Sequence, residues 1–378
     1  AKAVTAVAAA AVPGKRGPGM ARLALQAPTS TAAALAILPG ATSRLVYRVV
    51  GHSAHGSTQT LVDASSGAVL SATSLTKDAT GQGKVFDPNP VVSLRNESLK
   101  DMNDSNAAVP AAAYKTKTLT NLLAGTKLTG SFVQIRNTNI ATSANLTFNY
   151  QRNDDHFEQV EAYYQLTTAQ KYIQSLGFTD VNNEAQDVFT DTIRDDNSFY
   201  DPSNDTITYG DGGVDDAEDA EVIWHEYGHA IQDAQVPGFG SSEQAGAVGE
   251  GFGDYWAVTM SQPVSNGFDL PCVMDWDSTS YTSGPSHCLR RTDTGKTTDD
   301  IDGEVHDDGE IWSNALWDIN LSLGRGRANK IILESQFSFR PNTSFVQAAT
   351  VTVSTARALY GSGAAAKVKA AFVARKIL

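Results

Sequence analysis

The chain has 378 residues, 41% of them hydrophobic and 19% charged, which describes a folded globular protein large enough for two or three lobes around a sizeable core. Its formal net charge of −13 argues against nucleic acid as a partner, because phosphate binding requires a basic surface. The sequence contains no run of about 20 apolar residues, so no membrane insertion is predicted.

The first 80 residues differ in pattern from those that follow. Residues 1–40 are rich in Ala, Pro and Gly, whereas residues 44–74 show short alternating runs typical of β-strands, with Gly67 at a turn position. Gly and Pro interrupt this pattern at 77–93, as in a linker or a crossing loop. We therefore place a domain boundary near residue 80.

Beyond that boundary the pattern changes from β-like to helical. Residues 85–150 are β-like and rich in loops, residues 158–178 predict an amphipathic helix that ends at Gly177, and residues 197–213 predict a hairpin. From about residue 218 the pattern is mostly helical. The sequence thus predicts an α+β fold, with a small β-containing module before a β-rich lobe, a helical lobe and a zinc cleft between the lobes. The predicted ranges are 1–80, 81–235 and 236–378.

The zinc is predicted from an H-E-x-x-H motif formed by His225, Glu226 and His229. On a helix, positions i and i+4 lie one above the other, so both imidazoles can bind one zinc ion. Glu226 lies beside them and can act as a general base. The flanking residues are apolar and predict a buried helix, in which two histidines and a glutamate without a metal would be unfavourable.

Glu250 is predicted to be the third zinc ligand and Asp254 to orient a histidine. A structural zinc site has four protein ligands, whereas a catalytic site has three and keeps one position for water. A second helix, with a capping box predicted at Ser241 and Gln244, carries Glu250 and Asp254 four residues apart on one face. Asp254 can accept the free N–H of a ligand, for which we choose His225. The alternative is a solvated acidic face, against which the aromatic neighbours argue.

The H-E-x-x-H motif followed by G-E-G-F-G-D at 249–254 resembles the zinc peptidases whose third ligand is a glutamate, the thermolysin and fungalysin families. Fungalysin-like proteins have a G-E-G-W-S-D stretch in this place, and thermolysin has a Glu and an Asp that are likewise four residues apart. The resemblance implies a zinc-dependent endopeptidase that acts on proteins or peptides.

A block at 304–318 resembles the fungalysin segment that contains a histidine three residues before a glycine. This resemblance implies that His306 stabilises the oxyanion of the reaction. Asp302 is our candidate for the residue that orients His306, and Asp300 competes for that role.

Two other segments imply substrate contacts. Residues 195–213 resemble the edge strand that lines the thermolysin cleft, which implies that Asn197 holds an extended substrate; an ordinary turn residue is the alternative. Residues 288–291 resemble the arginine-bearing segment of fungalysins, so Arg291, or Arg290 beside it, can bind a substrate carbonyl. For both residues the alternative is an ordinary surface arginine without a role in substrate binding, since surface arginines are common.

Residues 45–70 resemble the proregion of these secreted peptidases. The resemblance implies that residues 1 to about 80 are a propeptide that acts as an intramolecular inhibitor, and that the chain is a zymogen. A permanent β domain without a regulatory role is the alternative.

Cys272 and Cys288 are the two cysteines of the chain and lie in a loop-like stretch. A disulfide between them would close this loop and favours a secreted, extracellular protein, with two unrelated thiols as the alternative.

Calcium is a second cofactor considered beside zinc, because five acidic residues precede the zinc helix and hard oxygen ligands suit calcium. The helix dipole also favours acidic residues at this position. These residues are Asp211, Asp215, Asp216, Glu218 and Asp219.

The sequence therefore predicts a secreted zinc metalloendopeptidase, with a latent precursor as one form. Two alternatives stay open, a zinc aminopeptidase and an inactive peptidase homologue that serves as a binding module.

Overall fold

The protein is described by a computed structural model over residues 30–39, 43–53, 56–75, 78–282 and 287–378. Within these ranges a β-rich half is followed by a helical half, and the predicted α+β class is confirmed. The Ala-rich stretch at 1–29 lies outside the described residues. None of the helices described is long and apolar enough to cross a membrane.

The N-terminal module contains an antiparallel meander of four strands that pair in chain order. The Asp63 carboxylate accepts hydrogen bonds from the backbone N–H groups of Ser65 and Ser66 and so shapes the turn between the third and fourth strands. Gly67 lies in the same turn at φ 76°, a left-handed conformation that glycine adopts readily. The strands are β1 Ser30–Leu38, β2 Arg44–Ser53, β3 Gly56–Asp63 and β4 Val69–Ser74.

The next segment contains two further sheets and one short helix, α1 Pro90–Leu94. Its strands are β5 Ala79–Val85, β6 Lys115–Leu122, β7 Val133–Ile135, β8 Thr147–Phe148, β9 Gln186–Ile193, β10 Phe199–Asp201 and β11 Thr206–Gly210. One sheet has the order β6-β5-β8 and the other the order β10-β11-β9-β7. The predicted hairpin is the antiparallel pair β10 and β11, and β10 is an edge strand of its sheet.

Helix α2, His156–Ser175, lies between β8 and β9 in the chain and ends just before Gly177, as predicted. It is buried on most of its surface, so the prediction of an amphipathic helix was wrong. Its buried polar side chains mostly bond to backbone groups of other segments instead of water. Glu161, for example, accepts the Phe86 N–H at 2.6 Å, and Gln165 donates to the Phe86 carbonyl at 3.0 Å. These bonds remove much of the cost of burying polar groups.

The remaining residues are mostly helical and share one hydrophobic core with α2 and with the two sheets formed by β5 to β11. The helices are α3 Ala220–Gln235, α4 Glu243–Ser261, α5 Val305–Leu323, α6 Arg325–Gln336 and α7 Phe345–Ala374. Non-helical backbone at Gly361 interrupts α7. Because α3, α4 and α5 pack against one another, residues distant in sequence are brought together at their contacts.

A short ribbon of two strands, β12 Cys272–Val273 and β13 Arg290–Arg291, lies between α4 and α5 in the chain. The predicted disulfide between Cys272 and Cys288 is present, with the two Cα atoms 5.2 Å apart. It joins the start of this ribbon to the segment that leads into its second strand, and so restrains the position of Arg290.

Candidate metal centre

Helix α3 presents the two histidines of the H-E-x-x-H motif side by side. The Asp219 side chain caps the helix by accepting the Glu221 N–H at 2.9 Å, which satisfies one of the free backbone donors of its first turn. The Nε2 atoms of His225 and His229 are 3.2 Å apart, as the i, i+4 spacing predicts for side chains that converge. Glu226, between them in sequence, is buried.

Helix α4 brings Glu250 to these histidines. Its Oε2 atom is 3.2 Å from His225 Nε2 and its Oε1 atom is 3.6 Å from His229 Nε2. Ligands bound tetrahedrally at the usual zinc distances lie roughly 3.3 Å from one another, so these spacings fit a single zinc ion. The N-cap of α4 is Ser242, whose Oγ accepts the Ala245 N–H, and not Ser241 as predicted.

The glycines of the G-E-G-F-G-D stretch let the helices approach closely. A Cβ atom added at Gly253 would lie 2.8 Å from Nδ1 and Cε1 of His225, and one added at Gly228 would lie 3.0 Å from the Cα atom of Gly253. A Cβ atom at Gly251 would lie 2.3 Å from the Gly309 carbonyl oxygen on α5. Contacts this short exclude any side chain, so these glycines allow Glu250 to reach the histidines.

Asp254 contacts the His225 ring at Nδ1, whereas Glu250 contacts it at Nε2, and Arg290 in turn binds Asp254. Asp254 Oδ1 is 2.9 Å from His225 Nδ1, and both its oxygens accept hydrogen bonds from the Arg290 guanidinium, each at 2.8 Å. Burial would raise the pKa of Asp254, but Arg290 and His225 outweigh burial and lower it to about 2. The carboxylate therefore stays ionised and fixes the orientation of the His225 ring.

The histidines and Glu250 also affect each other's protonation. Burial would lower the pKa of His225, but Asp254 and Glu250 raise it to about 10. Burial would raise the pKa of Glu250, but His229, His225 and His306 bring it well below its usual range. The centre is thus a network of carboxylates and imidazoles in which a cation is favoured, either a proton or a metal ion.

The structure places His306 next to this centre and gives it a different partner from the one predicted. His306 Nε2 is 3.4 Å from Glu250 Oε2, while its Nδ1 is 2.6 Å from Glu304 Oε1. Glu304 is the N-cap of α5, only two residues before His306, so its side chain folds back over the first turn. Asp302 instead accepts the Glu304 N–H at 2.9 Å, and Asp300 caps a short turn by accepting the Thr297 N–H.

The two neighbouring arginines point in opposite directions, as successive residues of a strand do. Arg290 binds Asp254 in the centre, whereas the guanidinium of Arg291 binds Asp269 and Asp293. The side chain of Arg291 is therefore engaged away from the centre, which corrects our prediction of a substrate-binding residue. Sequence reasoning missed the structural role of Arg290, for which the only signal is its position beside Arg291.

We expect Arg290→Ala to lower zinc affinity by about 10- to 100-fold, because Asp254 would lose its guanidinium partner and hold the His225 ring less firmly. Zinc content after dialysis against a competing chelator measures this change. Arg291→Ala is the matched control, since its guanidinium binds Asp269 and Asp293 and no other carboxylate among the described residues. Equal zinc affinities for the two variants would contradict the role given to Arg290.

Asn197 lies directly before the edge strand β10, in the segment that follows β9. Its neighbour Ser198 donates a hydrogen bond to the buried Asp216 carboxylate and so fixes this segment to the residues before α3. Strand β10 pairs with β11 on one side. The described strands leave its other side without a partner, which is the arrangement that accepts an added strand.

The five acidic residues before α3 do not form one cluster. Asp219 is satisfied by backbone N–H groups, among them those of Glu221 and Trp276. Asp216 lies with Asp196 and Asp277, whereas Asp215 and Glu218 lie with Asp104.

Comparison with known proteins agrees with this geometry. Residues 207–326, about a third of the chain, match the fungalysin metallopeptidase family. No curated protein matches the sequence. Among solved structures, the precursor of protealysin, a metalloproteinase from Serratia proteamaculans, shares the fold with a TM-score of 0.53 and 16% sequence identity, over 78% of this chain and 99% of that chain. Residues 207–326 are therefore similar to fungalysin metallopeptidases, and the fold is similar to that of a metalloproteinase precursor, in agreement with the predicted resemblance.

Proposed function

We propose that this metallopeptidase is a secreted zinc endopeptidase that is made as a latent precursor. The observation that carries the proposal is the convergence of His225, His229 and Glu250, with donor atoms 3.2–3.6 Å apart. Two imidazoles and one carboxylate are the donor set of a catalytic zinc site, which leaves one position open. Zinc, when bound, supplies a Lewis acid that polarises a carbonyl and lowers the pKa of water bound to it.

Glu226 is the proposed general base. It lies directly after His225 on α3 and is buried, which supports a position beside the metal and not in bulk solvent. Glu226 takes a proton from the attacking water and transfers it to the leaving amine. Because α3 holds the Glu226 carboxylate in a fixed position, the same group can perform both proton transfers.

His306 is proposed to stabilise the negative charge that develops on the carbonyl oxygen. Its ring is half exposed beside Glu250, so a substrate can reach Nε2 while Nδ1 stays bound to Glu304. A ring protonated on both nitrogens donates one hydrogen bond to Glu304 and the other to the oxyanion. Asp302 is proposed to act indirectly, by holding the Glu304 backbone.

Strand β10 is proposed to bind an extended peptide along its free edge, with Asn197 at the end of that edge. Backbone hydrogen bonds of this kind do not depend on the side chains of the substrate. They also do not require a free substrate terminus, which favours an endopeptidase over an aminopeptidase.

The proregion-like module, with the meander β1 to β4, is proposed to keep the enzyme latent until it is removed. The meander ends at Ser74, and β5 begins at Ala79 in another sheet. The link between them is therefore the expected place of cleavage. The disulfide between Cys272 and Cys288 supports secretion, because such bonds persist in oxidising compartments.

The test is hydrolysis of a quenched peptide that is acetylated at its N-terminus and amidated at its C-terminus, together with metal analysis. We expect about one zinc per chain, internal cleavage, and loss of cleavage when 1,10-phenanthroline removes the metal. Activity should rise at least about tenfold after removal of the residues before about 80, since substrate can enter the cleft once the inhibiting propeptide is gone. An aminopeptidase would leave the blocked peptide intact, and a chain without zinc or activity in either form would overturn the proposal.

A further inference from the structure

A cavity lies between the second half of α2, the first half of α3, the end of α4 and the start of α6, and none of its lining residues belongs to the zinc centre. We call it the arginine cavity, after Arg325. Its volume is about 170 Å³, which is enough for one side chain with a benzene-sized ring. The lining residues are Asp87, Tyr164, Gln165, Thr168, Tyr172, Trp224, Met260, Pro263, Val264 and Arg325.

Arg325 lines this cavity as a cation without a carboxylate partner among the described residues. Its Nε donates to the Thr259 carbonyl at 2.6 Å and its Nη2 lies 3.4 Å from Met260 Sδ. Its guanidinium carbon lies 3.7 Å from the centroid of the Tyr172 ring. Burial lowers the pKa of Arg325, as expected for a cation that no anion balances. The guanidinium is thus fixed against α4 and Tyr172, with Nη1 left to bind an anion.

The start of α6 adds to this preference for an anion. Arg325 is the first residue of α6, the N-cap Gly324 makes no side-chain hydrogen bond, and the first turn contains no acidic residue. The N-terminus of a helix carries a partial positive charge that favours an anion. The acidic residue in the cavity wall is Asp87, which forms an ion pair with Lys117 and not with Arg325.

Gln165 supplies a hydrogen-bond acceptor in the same wall. It is fully buried, and its Nε2 donates to the Phe86 carbonyl at 3.0 Å and to Glu161 Oε1 at 2.7 Å, which fixes the orientation of the amide. Its Oε1 atom is buried and accepts no hydrogen bond from the described part of the chain. Because a buried acceptor without a donor is unfavourable, a ligand that donates a hydrogen bond here is favoured.

We propose that the arginine cavity binds the C-terminal residue of a peptide. The α-carboxylate of that residue pairs with Arg325, its backbone N–H donates to Gln165 Oε1, and its apolar side chain packs against Trp224. A free amino acid suits the cavity less well, because its ammonium group requires a carboxylate and that of Asp87 is already in an ion pair.

A neighbouring cavity gives room for the residue that precedes the C-terminal one. Its volume is about 150 Å³, and it shares Tyr164 and Thr168 with the arginine cavity. Thr120 of β6 and Lys171 of α2 also line it. Two adjoining cavities of side-chain size match successive residues of a peptide better than one small molecule. This binding goes beyond the proposed function, because it requires neither zinc nor cleavage.

The alternative is that Arg325 has a structural role alone and joins α6 to the end of α4. The carbonyl groups at the C-terminus of a helix carry a partial negative charge, which Arg325 meets through Thr259. In that case the cavity would not distinguish a peptide that ends in a carboxylate from one that ends in an amide. The two roles therefore predict different results for the same pair of peptides.

The test titrates acetyl-Gly-Ala-Phe into the full chain bearing Glu226→Gln, so that the peptide is not cleaved, and follows binding by calorimetry. We expect a Kd below about 1 mM. The same peptide with a C-terminal amide should bind at least about tenfold more weakly, because the charge-assisted hydrogen bonds to Arg325 are lost. Free phenylalanine should also bind at least about tenfold more weakly than the peptide, because its ammonium group stays unpaired. The proposal is overturned if the peptide does not bind, or if the amide or free phenylalanine binds as tightly.

A matched pair of variants assigns the binding to the arginine cavity and not to the zinc centre. Arg325 and Arg327 both lie in the first turn of α6, but Arg327 is exposed and does not line the cavity. Arg325→Gln should remove the preference for the carboxylate over the amide, whereas Arg327→Gln should keep the preference of the parent. A preference that is lost in both variants, or kept in both, would contradict the assigned site.

A second pair keeps the test decisive if Arg325→Gln does not fold. Val264 is partly buried in the wall of the arginine cavity, and Val264→Trp would fill the space of the ligand side chain. This variant should bind acetyl-Gly-Ala-Phe at least about tenfold more weakly, since the phenyl ring could no longer be buried. Val346 on α7 is 54% exposed and lies outside the cavity, so Val346→Trp is the control and should bind as the parent does. Unchanged binding by Val264→Trp would overturn the proposal.

Discussion

Glu226→Gln should lower kcat by at least about 10³-fold while zinc stays bound. A glutamine has the same shape as glutamate but cannot accept a proton, and general acid–base catalysis typically contributes 10²- to 10⁴-fold. Because Glu226 is not one of the three converging donors, its replacement leaves His225, His229 and Glu250 in place. The measurement is kcat on the blocked peptide for protein whose zinc content has been determined.

Glu243→Gln is the control for this experiment. Glu243 lies in the first turn of the adjacent helix α4 and is exposed, so its replacement should leave both activity and zinc content near those of the parent. Near-normal turnover by zinc-loaded Glu226→Gln would contradict the assigned role. Loss of zinc from this variant would make the residue a structural part of the centre and not its base.

The parts of the centre that lie close together in sequence are the parts that the sequence predicts well. The positions of His225 and His229 follow from helical geometry alone, and the same geometry puts Glu250 and Asp254 on one face of α4. Sequence spacing does not determine how α3 packs against α4. The glycines at 249–254 make that packing possible, but this role becomes visible only when the distances to the neighbouring helices are known.

The predictions that required a partner from another segment were less successful. Arg291 and Arg290 are adjacent, and choosing between them requires knowing which face of β13 meets α4. Glu304 reaches His306 because it is the N-cap of α5 and its side chain lies over the first turn, which becomes visible only when the start of that helix is known.

Gly253→Ala should reduce both zinc affinity and kcat/KM by about 100-fold or more. The added methyl group would lie 2.8 Å from two atoms of the His225 ring, closer than any real contact, so the ring must move. A displacement of about 1 Å in a catalytic group typically costs about 10²-fold in rate. Helix propensity alone would predict the opposite, since alanine in a helix interior is about 1 kcal/mol more favourable than glycine.

Gly249→Ala is the matched control, because it makes the same change on the same helix beside the other histidine. There the added methyl group would meet Gln232 Oε1 at 3.4 Å and His229 Nδ1 at 3.9 Å, which are ordinary contact distances. Zinc content and kcat/KM of Gly249→Ala should therefore stay within about threefold of the parent, since no group has to move far. If both variants kept full zinc affinity, the close approach of α4 to His225 would not be what positions the ligand. If only Gly253→Ala lost zinc, the glycine would be as necessary to the centre as the residues that bind the metal.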